Sequence, residues 1–273
     1  MIIRVLLTAL LLTCNSVQAR DLPNWQSLTF HQTTLWVSAK SVITLQPCPQ
    51  QTNVWQLTAD STVASNHEYV EIDLDANSGL SLQRSRFSEG RQSRLKQYKY
   101  GTRDVLRERR SQPDNATTAP ETWPVTGRNQ LPYPAAAGAG VINSYSLLLL
   151  AADALDKESA PVTHYVHTDF NFYRVESRAA GSQEIQVAFV RNPGGDKVEG
   201  LRTARIVTIR AVADKDNTDK ADFDIFGLQG EVSIFYDTET GIPLQLRGKA
   251  PWLGHTTINL TEVTMRDKQA KSL

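Results

Sequence analysis

An alternation of apolar and polar residues runs through residues 231–265 and constrains the fold more than any other stretch of the chain. Val232 and Ile234 open it, and turn residues rich in Asp, Gly and Pro interrupt it at 237–241 and again at 251–254. A period of two broken by such residues is typical of antiparallel strands with one buried face. The segment therefore predicts a closing ribbon of short strands.

The same pattern recurs along most of the 273 residues. It is clearest at 67–74, where Val70, Ile72 and Leu74 point to one side and acidic residues point to the other. Turn residues follow at 75–79, and the next alternating run begins directly after them. No sequence repeat of fixed period is visible, so we expect meanders of antiparallel strands rather than a repeat architecture.

Two segments depart from this pattern. Prolines recur through 111–134 and exclude a central strand or a helix interior, so a long surface crossover is expected there. At 143–156, apolar residues recur at helical spacing, and Asn143 or Ser144 can cap the first turn. The apolar stripe comprises Tyr145, Leu148, Leu149, Ala152 and Leu155. Further leucines widen this stripe, so the helix should be largely buried.

These signals predict a mainly β (α+β) fold: a strongly curved antiparallel sheet, or half-open β barrel, around one buried helix. All-β domains reach about 200–250 residues, so residues 20–273 are expected to form a single β-rich domain. Cys48 is the one cysteine in that range, which excludes an intramolecular disulfide. Stability must then come from an ordinary hydrophobic core.

The N-terminus has the features of an export signal. Arg4 precedes a short apolar core, and small residues before position 20 suit a signal peptidase. The apolar run is shorter than the roughly 20 residues that span a bilayer. We therefore predict a signal peptide at 1–19 and a periplasmic location. An alternative is lipidation of Cys14, although Thr13 stands where such sites carry Gly or Ala.

The layout resembles the curled-sheet proteins of the bacterial cell envelope. Residues 235–243 read Phe-Tyr-Asp-Thr-Glu-Thr-Gly-Ile-Pro, and they resemble the end of a periplasmic family of unknown function. In that family a strand, an acidic turn with glycine and an x-Pro-apolar strand recur. More distantly, the layout is similar to the lipoprotein-localisation (Lol-type) carriers, whose unclosed barrel holds acyl chains over a helix. The resemblance implies no catalytic residues.

Basic residues greatly outnumber acidic ones between positions 84 and 110. Arg84 and Arg86 share one face of a predicted strand, and Arg94 and Lys96 share a face of the next. With Lys99, these are the candidate ligand-binding residues. They would form a platform for an anionic lipid, lipopolysaccharide or an acidic glycan. The alternative is a solvated outer face of the sheet.

Other chemistry has little support in the sequence. The spacing of His164 and His167 places their imidazoles on opposite faces of a strand, which disfavours a zinc site. The acidic loop at 214–225 carries Asp219 where a calcium loop needs glycine, and Ile225 where it needs an acid. No Gly-x-Ser-x-Gly elbow occurs. We therefore predict no metal, no cofactor and no catalytic residue.

The leading hypothesis is a non-enzymatic envelope protein that binds an amphiphilic or anionic molecule, such as a lipid or glycolipid. The chain has 29 basic residues (Lys and Arg) and 29 acidic residues (Asp and Glu), so its net charge is zero. The composition therefore gives no indication of nucleic-acid binding. The second hypothesis is a structural or accessory subunit that contacts a protein partner in an envelope assembly. The third and least favoured is a hydrolase of an envelope polymer.

Overall fold

The structure is a computed structural model that describes residues 22–33, 38–90, 92–114, 117–138, 140–157, 160–215, 217, 221–251 and 253–266. The predicted signal peptide at 1–19 lies outside these residues, as do parts of the acidic loop. The described residues form one 14-stranded, predominantly antiparallel sheet with a single short α-helix. The expected mainly β fold around one buried helix is therefore confirmed.

The strands fall into two sets on either side of the helix. The first set is β1 (Trp25–Thr33), β2 (Ser38–Pro47), β3 (Val54–Val63), β4 (Asn66–Asp75), β5 (Ser81–Glu89), β6 (Arg94–Tyr100), β7 (Asp104–Ser111) and β8 (Val125–Pro132). The second set is β9 (Val162–His167), β10 (Phe172–Asn192), β11 (Asp196–Ala213), β12 (Gln229–Asp237), β13 (Pro243–Ala250) and β14 (Gly254–Met265). The helix α1 (Leu147–Leu150) lies between them, flanked by 3-10 turns at Ser144–Ser146 and Ala151–Asp156.

Each set is an antiparallel meander, and the two meet where β1 pairs with β14. Phe30 faces Leu260 across this seam. The long strand β10 has an irregular register between Ala179 and Ser182, and its end at 190–192 runs parallel to β14. This second pairing closes β10 to β14 into a ring, while the strands from β2 to β8 curve without closing. The sheet is thus curved and only partly closed.

Alternation decides which side chains enter the core. Val70, Ile72 and Leu74 on β4 are all at most 1% exposed, as their spacing predicted. The predicted turn at 237–241 also forms, because Asp237 Oδ2 accepts from Thr240 N at 3.2 Å and from Thr240 Oγ1 at 2.5 Å. Local turn chemistry therefore closes the hairpin between β12 and β13.

The helical segment fills the concave side of the sheet. Leu147, Leu148 and Leu150 are buried in the same core as residues from both meanders. Asn143 caps the segment by accepting from Tyr145 N at 3.0 Å. No helix within the described ranges has the length and apolarity needed to cross a bilayer.

Only the four residues of α1 are α-helical, fewer than the predicted 143–156. Carbonyl groups of the segment accept hydrogen bonds from neighbouring strands instead. Tyr236 donates its hydroxyl to Leu148 O at 3.1 Å, and Arg205 donates to Leu155 O. These side chains satisfy backbone acceptors that a longer α-helical ladder would otherwise use.

The predicted crossover at 111–134 contains the strand β8, so it is not free of strands. In the described part of the sheet β8 is a terminal strand that pairs with β7, and its proline stands at the strand end where no central ladder is interrupted. Trp123 fixes the preceding loop: its ring centre lies 6.1 Å from that of Phe87, and its Nε1 donates to Thr118 O. The loop therefore covers the outer face of β5.

Candidate functional site

The pairing of β5 with β6 divides the predicted basic residues between the two faces of the sheet. Arg86 lies opposite Lys96, and Arg94 lies opposite Ser88, whereas Lys99 lies opposite Gln83. Because side chains alternate along a strand, Arg84, Arg86, Arg94 and Lys96 share the concave face. Lys99 points to the outer face. The five candidates therefore do not form one platform.

Arg84 has a structural role. It is 8% exposed, and its guanidinium lies 3.7 Å from the centre of the Tyr98 ring. Its Nη2 donates to the backbone oxygen of Thr168, in the turn between β9 and β10. A buried arginine stacked on an aromatic ring in this way anchors the turn to the sheet.

Lys96 belongs to a charge cluster around Asp169. The Asp169 carboxylate forms an ion pair with Lys96 and accepts from Tyr98 OH and from Arg107 Nε, each at 2.6 Å. Arg107 is 3% exposed and lies over the ring of Phe170. Burial alone would raise the pKa of Asp169, but its three donors outweigh that effect and hold the pKa well below its usual range.

Arg86 is paired with Glu68 on the neighbouring strand β4. Its Nε and Nη2 lie 2.8 Å and 2.6 Å from Glu68 Oε2. The other carboxylate oxygen accepts from Tyr145 OH at 3.3 Å. Burial would lower the pKa of Arg86, yet the Glu68 charge raises it above its ordinary value. The Arg86 side chain remains 39% exposed, so part of it faces open space.

That open space is a cavity of about 770 Å³ on the concave side of the sheet. Its volume lies within the roughly 300–1,000 Å³ typical of small-molecule sites. Its basic lining residues, the basic wall, are Arg86, Arg94 and Lys96. Its apolar lining residues, the apolar wall, are Phe30, Val63, Phe226, Ala250, Pro251, Leu253 and Ile258. The acidic residues Glu68, Glu89 and Asp224 also line the cavity, which therefore combines apolar residues with charges of both signs.

Arg94 differs from its basic neighbours because no carboxylate pairs with it within the part of the chain that the structure describes. It is exposed, and its Nη2 donates to the Gln92 side-chain oxygen at 2.9 Å. Its charge is therefore available to a ligand, whereas Arg86 and Lys96 each already contact an acidic residue.

A strained turn presents Phe226 to the apolar wall. Ile225 and Leu228 exchange both backbone hydrogen bonds, at 2.9 Å and 3.0 Å, and the two residues between them have positive φ. Phe226 has φ of 53°, a left-handed conformation that is uncommon for a bulky residue. Its ring meets that of Tyr145 edge to face at 5.0 Å. Such strain concentrates at functional sites.

Asp224 opens this turn, and its carboxylate accepts from Gly227 N at 2.9 Å. Asp224 is exposed and lines the cavity. Desolvation by neighbouring protein atoms raises the pKa of Asp224, against the lowering effects of the Gly227 N–H and of Arg86, and Glu68 raises it further.

The histidines do not form a metal site. Within the described ranges, no group of three or more His, Cys, Asp or Glu residues is placed to hold a metal ion. His167 is fully buried and packs edge-on against Tyr98 and Tyr100. Burial, with the nearby Arg84 charge, lowers the pKa of His167 well below its usual value. The residue is thus a neutral core histidine.

Of the cavity residues, only Arg86, Arg94 and Lys96 were among the predicted site residues, and Glu68, Tyr145 and Phe226 were not. Glu68 lies diagonally across from Arg86, but counting outward from the turn at 75–79 does not find it, because the register shifts between Asp73 and Leu74. Tyr145 was assigned to the helix stripe, and only the fold reveals where its hydroxyl reaches. No sequence pattern marks Phe226, since aromatic residues are rarely central in such a turn.

No protein-family model matches the chain, and no curated protein or solved structure is significantly similar to it. The resemblance to curled-sheet envelope proteins stays a prediction from the sequence layout and the motif at 235–243. The cavity has to be interpreted from its own residues.

Proposed function

We propose that this protein is an exported envelope protein that binds a lipid-like amphiphile with an anionic head group in the concave cavity. One observation supports this most: the same cavity is lined by apolar side chains, which include Phe30 and Phe226, and by cations, which include Arg86 and Arg94. A molecule with an acyl chain and a negative head complements both walls at once. A purely polar anion would leave the apolar side chains of the cavity exposed to water.

The two walls would contribute different parts of the binding energy. Burying an acyl chain gains about 0.8 kcal/mol per methylene group, so the apolar wall supplies most of the affinity. Charge-assisted hydrogen bonds from guanidinium groups orient the head and reject neutral analogues. Arg94 is the principal head-group ligand, because its charge has no carboxylate partner among the described residues.

Native mass spectrometry provides the first test. The protein is purified from its host without detergent, and bound molecules are released and identified. We expect a co-purifying mass that belongs to a lipid with an anionic head. The purified protein, stripped of ligand, should also bind lysophosphatidylglycerol more tightly than lysophosphatidylcholine with the same chain. An empty protein that binds neither probe contradicts the proposal.

Export is tested separately. Cleavage after Ala19 would leave Arg20 as the first residue of the mature protein. We expect the intact mass of the protein from the periplasmic fraction to match this product. A mass that retains Met1, or one that carries acyl groups on Cys14, would contradict cleavage at this position.

A further inference from the structure

The Glu68 carboxylate is the ion-pair partner of Arg86 in the cavity lining. Both Arg86 donors, Nε and Nη2, are directed at the single oxygen Glu68 Oε2. The second oxygen is turned toward Tyr145, whose hydroxyl lies 3.3 Å away. The guanidinium fork is therefore not matched by a two-oxygen partner, although fork-to-fork pairing is its strongest arrangement.

The position of the pair makes exchange feasible. The Arg86 and Glu68 side chains are 39% and 25% exposed, and both residues line the cavity. A cation left alone at such a site would cost free energy, so an internal counter-ion suits the empty cavity. An incoming phosphate offers several oxygens to the same donors and can pair with the fork through two of them.

We infer that Glu68 is a built-in competitor for Arg86 that sets the affinity and the head-group selectivity of the cavity. This inference rests on the proposed function and deepens it. A head with a net negative phosphate displaces the Glu68 carboxylate from the guanidinium. The phosphate of a zwitterionic head already has a cation in the same head group, and a neutral head offers no anion, so neither compensates for losing Glu68. The ligand class is thus an amphiphile whose head presents a net negative phosphate.

Substitution of the competitor gives a direct test. Glu68→Gln removes the charge that holds Arg86 and keeps a similar side-chain shape. We expect lysophosphatidylglycerol to bind about three- to tenfold more tightly, which is the scale of one partly exposed ion pair. Binding of lysophosphatidylcholine should not change. Titration calorimetry on the ligand-stripped protein measures both affinities.

Two further variants separate competition from a change in overall charge. Glu68→Asp keeps the charge in the cavity but shortens the reach to Arg86, so it should also tighten anionic binding, by less than Glu68→Gln. Glu71→Gln removes the same charge from the outer face of the same strand β4. This control should leave both affinities within about twofold of the wild-type values.

The outcomes distinguish the inference from the proposed function. If the wild-type protein binds lysophosphatidylglycerol but neither Glu68 variant binds it more tightly, the competitor role is wrong and the cavity function stands. Equal tightening of both probes also overturns the competitor role, because head charge would not matter. Failure of the wild type and all variants to bind either probe overturns the proposed function first.

Discussion

Asp169 Oδ1 accepts a hydrogen bond from Arg107 Nε at 2.6 Å, which joins residues 62 positions apart in the chain. Asp169 lies in the turn between β9 and β10, and Arg107 lies on β7. These strands stand near opposite ends of the sheet order. Among the described strands no backbone ladder pairs β7 with β9 or β10, so this side-chain contact joins the two ends of the sheet order.

Replacing Asp169 should strongly destabilise the protein. Asp169→Asn leaves Lys96 and Arg107 without their carboxylate, and breaking a largely buried pair typically costs about 3–5 kcal/mol. We expect the free energy of unfolding in urea to fall by roughly that amount.

Asp196→Asn is the matched control, because Asp196 is an exposed aspartate at the start of β11. It should change the free energy of unfolding by no more than about 0.5 kcal/mol. Equal effects of the two substitutions would show that the Asp169 cluster contributes little to stability.

Stability should decline as the pH falls from 7 toward 5, and His167 should cause much of this decline. The pKa of His167 is well below its usual value in the folded protein because the ring is buried. Below the unfolded-state pKa of about 6.5 the unfolded chain takes up a proton that the folded protein does not. The free energy of unfolding should then fall by up to about 1.4 kcal/mol per pH unit.

His167→Phe should flatten this part of the profile while keeping an aromatic ring beside Tyr98 and Tyr100. His255→Phe, at an exposed position on β14, is the matched control for replacing a histidine by phenylalanine. Urea denaturation at several pH values measures the slope, and an unchanged profile in His167→Phe would assign the decline to other groups.

Head-group recognition should depend on the face of β6 rather than on charge alone. Arg94→Gln removes a cation from the cavity wall, so lysophosphatidylglycerol should bind about tenfold more weakly. Lys99→Gln removes a cation from the outer face of the same strand and should have little effect. Fluorescence titration measures both, and equal losses would indicate a diffuse electrostatic attraction instead of a site.

The turn at Phe226 predicts an unusual order of stabilities. Glycine adopts positive φ without penalty, whereas alanine in the left-handed region costs about 1 kcal/mol or more. Phe226→Gly should therefore be more stable than Phe226→Ala by about 1 kcal/mol, although glycine usually destabilises. Both variants remove the aromatic contacts with Tyr145 and Phe30, so both should weaken binding of either lysolipid.

Urea unfolding of the two variants decides the point. If Phe226→Ala is the more stable, then the turn relaxes to a conformation with negative φ when the ring is absent. In that case the turn geometry is a product of the aromatic contacts and is not imposed by the backbone.

The alternating strands could be predicted from the sequence because a strand with one buried face alternates apolar and polar residues. The closing ribbon and the run ending at Leu74 are found where the pattern placed them. The start of β1 leaves no such pattern, although Trp25 is 2% exposed. A single aromatic at a strand end gives no periodicity from which to infer burial.

The site was less predictable because the sequence identifies charged residues but not the residues with which they form ion pairs. Arg84 and Arg86 were identified as basic residues on one face, but whether that face was concave depended on the curvature of the sheet. The counter-ions Glu68 and Asp169 come from different parts of the chain. Only the tertiary fold brings Asp169 to Lys96, 73 residues away in sequence.

Pairing of β1 with β14 has a consequence for the order in which the strands can fold. During synthesis the first strand emerges early, while the strand that seals its free edge ends only at Met265. Until then Leu28 and Phe30 lack their partners on β14, and the unpaired edge of β1 can form intermolecular β-sheet contacts that lead to aggregation. The β1–β14 ladder therefore forms late in folding, and the N-terminal meander is the part of the chain that stays unpaired at one edge for longest.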